Sequence, residues 1–362
     1  MSTMMRSIGL ARPEHQLDQP RAAEIAAALA GADHKGSRRV SAVFRRAGVQ
    51  SRGGVTMVEV DGRIEHRWLM EDGIGVAEET STGDRLIEFM EYAPSLACEA
   101  SSNALQKSGI SPSAITHIVT ASCTGMASPG FDHLIIDRLG LPRETQRTHI
   151  GFMGCHAALN AIRVARAFAL ADPDAVVLVC CVELCSIHFQ EGDSRDAMLA
   201  NALFGDGAAA TVITANDDAA EGGIEMVESV SQYLPDSTDL MTWTVTDHGF
   251  QMTLDPAVPD ILKECVGDWV QGWLGQHDLS IEGVGSWAIH PGGPQIIDAV
   301  RDALGIDELM CEPSRSILAD YGNMSSPTVL YVLEHLREAG APRPWVALAF
   351  GPGLSAEGLL IR

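Results

Sequence analysis

The sequence is poor in positive charge and has no long apolar run. It carries 25 lysine and arginine residues against 48 aspartate and glutamate residues, for a formal net charge of −23 at pH 7. So acidic a chain argues against a nucleic-acid partner. No stretch is long enough to span a bilayer, and residues 1–12 lack the apolar segment of a secretory signal. We therefore predict a cytoplasmic protein without membrane insertion.

Regular cysteine spacing is also absent. The eight cysteines are scattered and several lie inside apolar runs, so they do not suggest a disulfide framework. Cys181 and Cys185 have no second pair of ligands beside them, and we predict no metal site. The hydrophobic content of 46% and the charged content of 20% indicate a well-packed globular protein. A chain of 362 residues suffices for one large domain or two.

The most informative stretch runs from Gly151 to Asn160. A β-branched and polar segment precedes it and an Ala-rich segment follows, which predicts a strand, a tight turn and a buried helix. Cys155 then falls in the first helical turn, where unpaired amides and the helix dipole favour a thiolate. This predicts a lowered thiol pKa and a nucleophile for carbonyl chemistry. The alternative is a buried cysteine that packs as a small apolar side chain.

A second window reverses the overall sign of the charge. Residues 34–58 contain no aspartate or glutamate. The basic residues of this window are Lys35, Arg38, Arg39, Arg45, Arg46 and Arg52. Two interpretations stay open at this point: a solvated helix face, or a landing site for a phosphate-rich ligand such as coenzyme A.

The hydrophobic pattern predicts alternating strands and helices. The predicted elements are strands at 7–11, 114–122, 175–182 and 202–213, and helices at 20–29, 81–105 (interrupted near Pro94) and 131–139. Asn216 to Gly223 is acidic and glycine-containing, and we predict a linker there.

The order of these elements is repeated in the second half of the chain. Three pairs of segments match in order and residue type: 115–122 with 284–293, 151–160 with 321–326, and 175–182 with 345–350. We therefore predict an α/β fold of two duplicated halves, with domains at residues 1–215 and 224–362. The first half carries Cys155, and the second carries His290 and Asn323.

These three polar residues fall at strand or helix junctions, which is where α/β folds bind ligands. Taken singly, His290 fits a histidine in a capped turn and Asn323 fits a helix N-cap. Taken together with Cys155, they suit a thiolate chemistry that needs an imidazole and an amide donor. Papain-like peptidases and thiolase-like condensing enzymes both use Cys, His and Asn in this order. The Cys-Gly-Ser-Cys-Trp signature of the peptidases is absent here, which favours condensing enzymes.

Five short motifs extend this pattern. They are Gly-Cys at 154–155, Ala-Leu-Phe-Gly-Asp-Gly-Ala-Ala-Ala at 202–210, Ile-His-Pro-Gly-Gly-Pro at 289–294, Tyr-Gly-Asn-Met-Ser-Ser at 321–326 and Phe-Gly-Pro-Gly-Leu at 350–354. In this order and spacing, the chain from about Ile8 to Arg362 resembles the type III polyketide synthases, the chalcone and stilbene synthase-like condensing enzymes. Each motif is weak alone, and the five together are very specific.

The resemblance implies a thiolase-like fold of five αβαβα layers that works as a homodimer. It implies that Cys155 carries the starter and the growing chain as a thioester, and that His290 keeps this cysteine ionised. His290 and Asn323 would bind the thioester oxygen of malonyl-CoA and stabilise the enolate that forms when CO2 leaves. The implied substrates are acyl-CoA and malonyl-CoA, with no permanently bound cofactor and no metal.

The same resemblance implies a substrate pocket and a coenzyme A site. Phe204 matches an aromatic gatekeeper, and the basic window becomes the site for the CoA phosphates. The candidates for phosphate binding are Arg45, Arg46 and Arg52. The other implied pocket residues are Cys123, Thr124, His188, Trp243, Met252, Ser325, Gly351, Pro352 and Gly353.

Several pocket residues depart from the plant members of the family. Met252 stands where a second gatekeeper phenylalanine is usual, and Trp243 stands where plant enzymes have glycine and should narrow the pocket. His188 replaces a threonine, and Cys123 and Thr124 lie where bacterial members place small residues beside an acyl tunnel. The starter, the number of extensions and the cyclisation therefore stay open.

Three functions are compatible with the sequence. The leading one is iterative, decarboxylative condensation of malonyl-CoA onto an acyl-CoA starter, with cyclisation to a pyrone or phenolic product. The second is a single condensation of the β-ketoacyl synthase III type, although that family's His-Gln-Ala-Asn type of motif is replaced here by His290-Pro-Gly-Gly-Pro. The third is a catalytically inactive thiolase-fold binding subunit.

Overall fold

A computed structural model describes residues 2–30, 34–67, 80–192, 194–215 and 223–362. Within these ranges, no helix combines the length and the apolar character needed to cross a membrane. The predicted linker at 216–223 lies outside the described residues except for Gly223, and the predicted domain boundaries stay a prediction.

The described strands belong to one large sheet and three two-stranded ribbons. In chain order they are β1 (Thr3–Ala11), β2 (Gln16–Asp18), β3 (Ser51–Gly53), β4 (Met57–Val60), β5 (Arg63–His66), β6 (His117–Ser122), β7 (Gln146–Gly151), β8 (Val176–Leu184), β9 (Asp206–Ala215), β10 (Ile224–Tyr233), β11 (Met241–Thr246), β12 (Gly249–Leu254), β13 (Ser286–Ile289), β14 (Trp345–Gly351) and β15 (Ser355–Ile361). The ribbons are β2 with β3, β4 with β5, and β11 with β12.

The large sheet has the order β13-β14-β15-β10-β1-β9-β8-β6-β7. Reading outward from the antiparallel pair β1 and β10, both directions follow the same pattern. On one side β9 and β8 are each antiparallel to the strand before, and β6 is parallel to β8. On the other side β15 and β14 are antiparallel and β13 is parallel. The sheet therefore has matching strand orders on its two sides.

Helices cover both faces of this sheet. In chain order the described helices are α1 (Gln19–Leu29), α2 (His34–Arg46), α3 (Thr82–Ser108), α4 (Phe131–Leu139), α5 (Ala157–Ala171), α6 (Arg195–Leu203), α7 (Val258–Gly275), α8 (Pro294–Leu304), α9 (Glu312–Tyr321) and α10 (Thr328–Glu338). The helix predicted at 131–139 is confirmed, and Gly140 ends it in the left-handed conformation, with φ of 66°.

Three separate apolar cores divide the molecule into five layers. Along β8, Val177 and Val179 point into a middle core with α5 and α10, while Leu178 and Cys180 point into an outer core with α3 and α4. β14 likewise divides its side chains between the middle core and a second outer core with α7 and α8. The continuous apolar runs of these strands therefore reflect burial on both faces. This is the αβαβα arrangement of the thiolase-like fold.

Two predicted features are wrong. Helix α3 runs through Pro94 without interruption. Its small residues pack directly on β1, where a Cβ on Gly9 would come within 2.2 Å of the Ala100 oxygen, and this burial offsets the hydrogen bond that a proline removes. Ala202 and Leu203, predicted to open a strand, instead end α6, because their side chains are buried in the outer core.

Candidate active site

Cys155 lies in the turn between β7 and α5. Gly154 precedes it with φ of 80°, and a Cβ on this glycine would stand 2.4 Å from Cδ of Pro352. The turn therefore needs glycine both for its backbone and for the close approach of the Pro352 loop. The predicted strand, turn and helix are confirmed, but α5 begins at Ala157 with His156 as its N-cap, so Cys155 precedes the first helical turn in which it was predicted to lie.

The thiol pKa differs from the predicted direction. Burial raises the pKa of Cys155 to about 11, although hydrogen bonding to Ser325 and Asn323 acts to lower it. The direction is therefore opposite to the predicted lowering, because burial disfavours the charged thiolate.

Asn323 lies directly beside this thiol. Its backbone forms an isolated parallel bridge with Phe204, through hydrogen bonds of 2.8 Å from its N–H to the Leu203 oxygen and 3.0 Å from the Gly205 N–H to its own oxygen. The Ser325 N–H donates to Asn323 Oδ1 at 2.8 Å. Because the oxygen is occupied, Nδ2 faces the cysteine, 4.0 Å from Sγ. Asn323 therefore presents an amide donor to Cys155.

His290 follows β13 and is buried, with 1% of its surface exposed. Neither ring nitrogen has a hydrogen-bond partner among the described residues. Burial, and secondarily the proximity of His156, lowers the pKa of His290 to about 3. Burial thus favours the neutral form of the His290 ring, and its role in keeping Cys155 ionised stays a prediction. Its two unpartnered nitrogens remain available to a ligand.

A small cavity, here called the cysteine chamber, opens in front of Cys155 and has a volume of about 40 Å³. Eight predicted site residues line it: Cys123, Thr124, Cys155, Phe204, Trp243, Met252, Ser325 and Pro352. Residues from both halves of the chain thus meet at one cavity. His290 and Asn323 stand outside this lining.

Glu183, which bonds the chamber residues Cys123 and Thr124, was not predicted as a site residue. This carboxylate is fully buried and accepts hydrogen bonds from the Cys123 N–H (2.9 Å), Thr124 Oγ1 (2.7 Å) and Ser326 Oγ (2.6 Å). Burial raises the pKa of Glu183, and these donors oppose that rise. Its sequence signal is a single acidic residue near the end of an apolar strand, and its place fixes the loop that carries Cys123.

Trp243 forms the far wall of the chamber, and the ring of His188 packs against that of Trp243. Trp243 Nε1 donates to the Cys123 oxygen at 2.7 Å, and its partner across the β11–β12 ribbon is Met252. His188 lies between the Thr124 oxygen, at 2.6 Å from Nε2, and the Phe250 N–H, at 3.1 Å from Nδ1. Both His188 nitrogens are thus occupied, so the predicted substrate contact is limited to the ring surface.

Behind this wall lies an adjoining cavity of about 260 Å³. It shares four lining residues with the cysteine chamber: Cys185, Phe204, Trp243 and Met252. Its other walls combine apolar side chains, such as Ile25, Phe44 and Met57, with polar ones, Arg52 among them. Only side chains separate the two spaces, so their size and orientation decide whether the spaces connect.

A third cavity, here called the basic cleft, has a volume of about 220 Å³ and lies between α2, α6 and the loop after His290. Arg46 and Arg195 line it, together with Leu203 and Gly293. Arg195 was not predicted from the sequence. Arg45 is exposed on the same helix but lines a different surface groove.

The structure contradicts Arg52 as a phosphate ligand. Only 5% of this residue is exposed, and Nη1 donates to the backbone oxygens of Asn201 (2.6 Å) and Phe204 (3.0 Å). Burial lowers the pKa of Arg52 to about 10, so the group stays charged at neutral pH. The basic sequence window predicts a surface charge at Arg52, whereas its guanidinium is buried and bonds backbone carbonyl oxygens.

The loop at Gly351, Pro352 and Gly353 packs on the cysteine turn, and of these three predicted pocket residues only Pro352 lines the chamber. A Cβ on Gly351 would stand 2.6 Å from the His156 ring, so this ring packs directly on the loop backbone. His156 Nδ1 in turn bonds Asn160 Oδ1 at 2.8 Å, and Asn160 Nδ2 donates to Glu357 at 2.8 Å. No local sequence pattern marks this buried polar chain, because Glu357 lies far from His156 and Asn160 in the sequence.

Comparison with known proteins matches this architecture along nearly the whole chain. Residues 2–217 match the N-terminal domain of chalcone and stilbene synthases, and residues 225–362 match the C-terminal domain. The 1,3,6,8-tetrahydroxynaphthalene synthase of Streptomyces peucetius subsp. caesius is 32% identical over 368 residues, which cover 99% of this chain and 93% of that protein.

Longer proteins carry the same unit. Probable polyketide synthase 1 of Dictyostelium discoideum is 33% identical over 282 residues, 76% of this chain, and the chain spans only 9% of that protein. The C-terminal type III polyketide synthase domain of Steely1, a type I/III hybrid from Dictyostelium, superposes with a TM-score of 0.92 at 28% identity and covers 100% of this chain and 99% of that one. The chain belongs to the chalcone and stilbene synthase family of type III polyketide synthases.

Proposed function

We propose that the protein catalyses iterative decarboxylative condensation of malonyl-CoA onto an acyl-CoA starter, followed by cyclisation. The single observation that carries this proposal is the Asn323 amide directed at the Cys155 thiol, 4.0 Å away, where this thiol lines the cysteine chamber. A nucleophile beside a fixed amide donor suits thioester chemistry, in which negative charge develops on a carbonyl oxygen.

In the first step the starter is loaded. Cys155 Sγ attacks the carbonyl carbon of acyl-CoA as His290 accepts the thiol proton. The carbon–sulfur bond to CoA then breaks, and the CoA thiolate takes the proton from His290. The unpartnered nitrogens of His290 support this role, because a base must have a free lone pair.

In the second step malonyl-CoA loses CO2. The bond between its carboxylate and C2 breaks, and the electron pair moves into an enolate whose oxygen is held by His290 and Asn323. The enolate carbon attacks the acyl group on Cys155, and the Cys155 thiolate leaves. The lengthened chain is then a CoA thioester; Cys155 attacks its carbonyl carbon, the carbon–sulfur bond to CoA breaks, CoA leaves with the thiol proton, and the cycle repeats. The fixed orientation of Asn323 supports its part, since a preformed donor needs no rearrangement during the reaction.

Coenzyme A thioesters would enter by the basic cleft. Arg46 and Arg195 offer charge for phosphate groups in a protein that is otherwise strongly acidic. The cleft extends to Leu203 and Gly293, close in sequence to Phe204 and His290, so a pantetheine arm entering here would point toward the reacting groups. Phe204 lines the chamber and the adjoining cavity but not this cleft, so it would act as a gatekeeper between those two spaces.

The cysteine chamber alone is too small for a polyketide chain, since its volume is about 40 Å³. We propose that the starter or the growing chain extends into the adjoining cavity past Trp243 and Met252. Closure to a pyrone or a phenolic ring would follow from the walls of that space.

We also propose a homodimer that works in the cytoplasm. β7 is the last strand at its end of the described sheet, and the exposed side chains of Met126 and Met153 lie on the loops beside it. An edge strand next to apolar side chains is a typical pairing surface. All eight cysteines are free thiols, which suits a reducing compartment. Light scattering should give twice the chain mass of 38.6 kDa.

The test of the activity is incubation with a panel of acyl-CoA starters and labelled malonyl-CoA, with CO2 release and product masses as readouts. We expect polyketide from the wild type and from a Cys265→Ala control, and none from Cys155→Ala. Strict dependence on malonyl carrier protein would instead indicate the β-ketoacyl synthase III type. Failure of reactive acyl-CoA to acylate Cys155 would indicate a binding subunit.

A further inference from the structure

Arg52, excluded above from phosphate binding, lies at the centre of a buried hydrogen-bond network. Its Nη2 donates to Gln19 Oε1, and Gln19 Nε2 donates to the oxygens of Phe44 (3.0 Å) and Ala202 (3.0 Å). The guanidinium carbon lies 5.5 Å from the centre of the Phe44 ring. One charged group thus joins β3, α1, α2 and the end of α6.

Three of the carbonyls that Arg52 and Gln19 hold, those of Asn201, Ala202 and Phe204, belong to the last turn of α6 and its cap. A positive charge is favoured at the C-terminus of a helix, where the unpaired carbonyls carry partial negative charge. Here the guanidinium binds the oxygens of Asn201 and Phe204 from one side. From the other side Asn323 bonds the oxygen of Leu203. The backbone around Phe204 is therefore fixed between Arg52 and Asn323.

Close packing transmits this restraint. A Cβ on Gly205 would lie 2.8 Å from the Tyr321 oxygen and 3.1 Å from Cβ of Arg52. A Cβ on Gly322 would lie 2.9 Å from the Leu203 oxygen and 3.5 Å from the same Arg52 atom. Two glycines thus let both backbone segments approach the arginine, and little space remains for either to shift.

We propose that Arg52 is the positioning residue for Asn323 and Phe204. It acts through the carbonyls of α6, and its contact with Phe44 ties this assembly to the helix that carries Arg45 and Arg46. The inference rests on the proposed function for its kinetic consequences, but the restraint on the backbone does not depend on that function.

The test compares Arg52→Met, Arg52→Lys and a control, Arg143→Met, which replaces an exposed arginine. The structural readout is hydrogen–deuterium exchange of the backbone amides of Gly205 and Asn323, the two donors of the bridge. We expect faster exchange at both in Arg52→Met, with α5 unchanged. Unchanged exchange at these amides would overturn the proposal, whether or not the protein makes polyketide.

The kinetic readout separates positioning from substrate binding. We expect Arg52→Met to lower kcat about tenfold with KM for malonyl-CoA nearly unchanged, since misplacing a donor weakens transition-state stabilisation. Arg52→Lys keeps the charge but loses the planar guanidinium fork, so we expect the same faster exchange with a smaller loss of kcat. If Arg52→Met does not fold, Arg52→Lys serves as the test variant in its place. A rise in KM with kcat unchanged in either variant would refute the positioning role.

Discussion

The turns that present Cys155 and Asn323 match in sequence but are held in different ways. Each has a glycine of positive φ just before the reactive side chain, Gly154 at 80° and Gly322 at 70°. The cysteine turn packs against the side chain of Pro352, whereas the asparagine turn is bonded to the backbone of α6. The turn of the nucleophile, which must accept and release acyl groups, is thus held by side-chain packing. The turn of the amide donor is held by backbone hydrogen bonds.

The largest effect expected from this comparison follows removal of the Asn323 donor. Asn323→Leu keeps the volume and the backbone bridge but loses the amide, so we expect kcat to fall about 100-fold while the melting temperature changes little. Steady-state kinetics and thermal unfolding measure both. A loss of fold together with activity would show that the side chain, and not the backbone, holds this turn.

A smaller effect is expected at the cysteine turn. In His156→Ala the loop at Gly351 loses the ring against which it packs, and we expect kcat to fall about tenfold. His156→Phe is the matched control, because it keeps the ring but leaves Asn160 Oδ1 without its donor. We expect it to keep kcat and lose about 1–2 kcal/mol of unfolding free energy. Equal kcat values for the two variants would remove the packing role.

Arg45 and Arg46 contact neither turn, so replacing them should affect substrate binding and not the positioning of the reacting groups. Neutralising both, in the double variant Arg45→Gln with Arg46→Gln, should raise KM for malonyl-CoA about fivefold and leave kcat nearly unchanged. The matched exposed control is Arg143→Gln. An unchanged KM would move the phosphate site away from α2.

The smallest effect concerns His188, which joins the Thr124 loop of the first half to β12 of the second. Burial lowers the pKa of His188 from 6.5 to about 3. The unfolded chain therefore binds a proton that the folded protein does not, and stability is lost as the pH falls from 6.5 toward 3. Urea unfolding at several pH values should show a slope in His188→Gln that is smaller by about 1.4 kcal/mol per pH unit. An equal slope would contradict the neutral state of this ring.

Much of the fold was predictable because its signals are local. The apolar runs of β8 and β14 gave central strands, and the glycine turns at Gly154 and Gly322 marked both reactive residues. The helix break predicted at Pro94 is wrong, because a proline interrupts a helix only where tertiary packing does not oppose it. The end of α6 was misassigned for a similar reason, since buried small residues suit a helix or a strand equally.

The residues of the site were largely predictable from the sequence, whereas the directions of their pKa shifts were less so. The motifs identified Cys155, Asn323 and most residues of the chamber, yet the sign of the thiol pKa shift depends on burial, which no local pattern contains. Arg52 and Arg46 are alike in the sequence, and only the tertiary structure buries one and exposes the other. Glu183 and His156 bond partners from distant segments, so their roles emerge only from the folded chain.

The wall between the cysteine chamber and the adjoining cavity consists of the side chains of Cys185, Phe204, Trp243 and Met252. Product size in this scaffold can therefore diverge by exchanging a few side chains, while the backbone that aligns nucleophile and amide is inherited unchanged. The side chains that set product size are thus separate from the backbone that aligns the reacting groups. Exchanges among these few side chains can therefore turn one enzyme of this kind into enzymes with many different products.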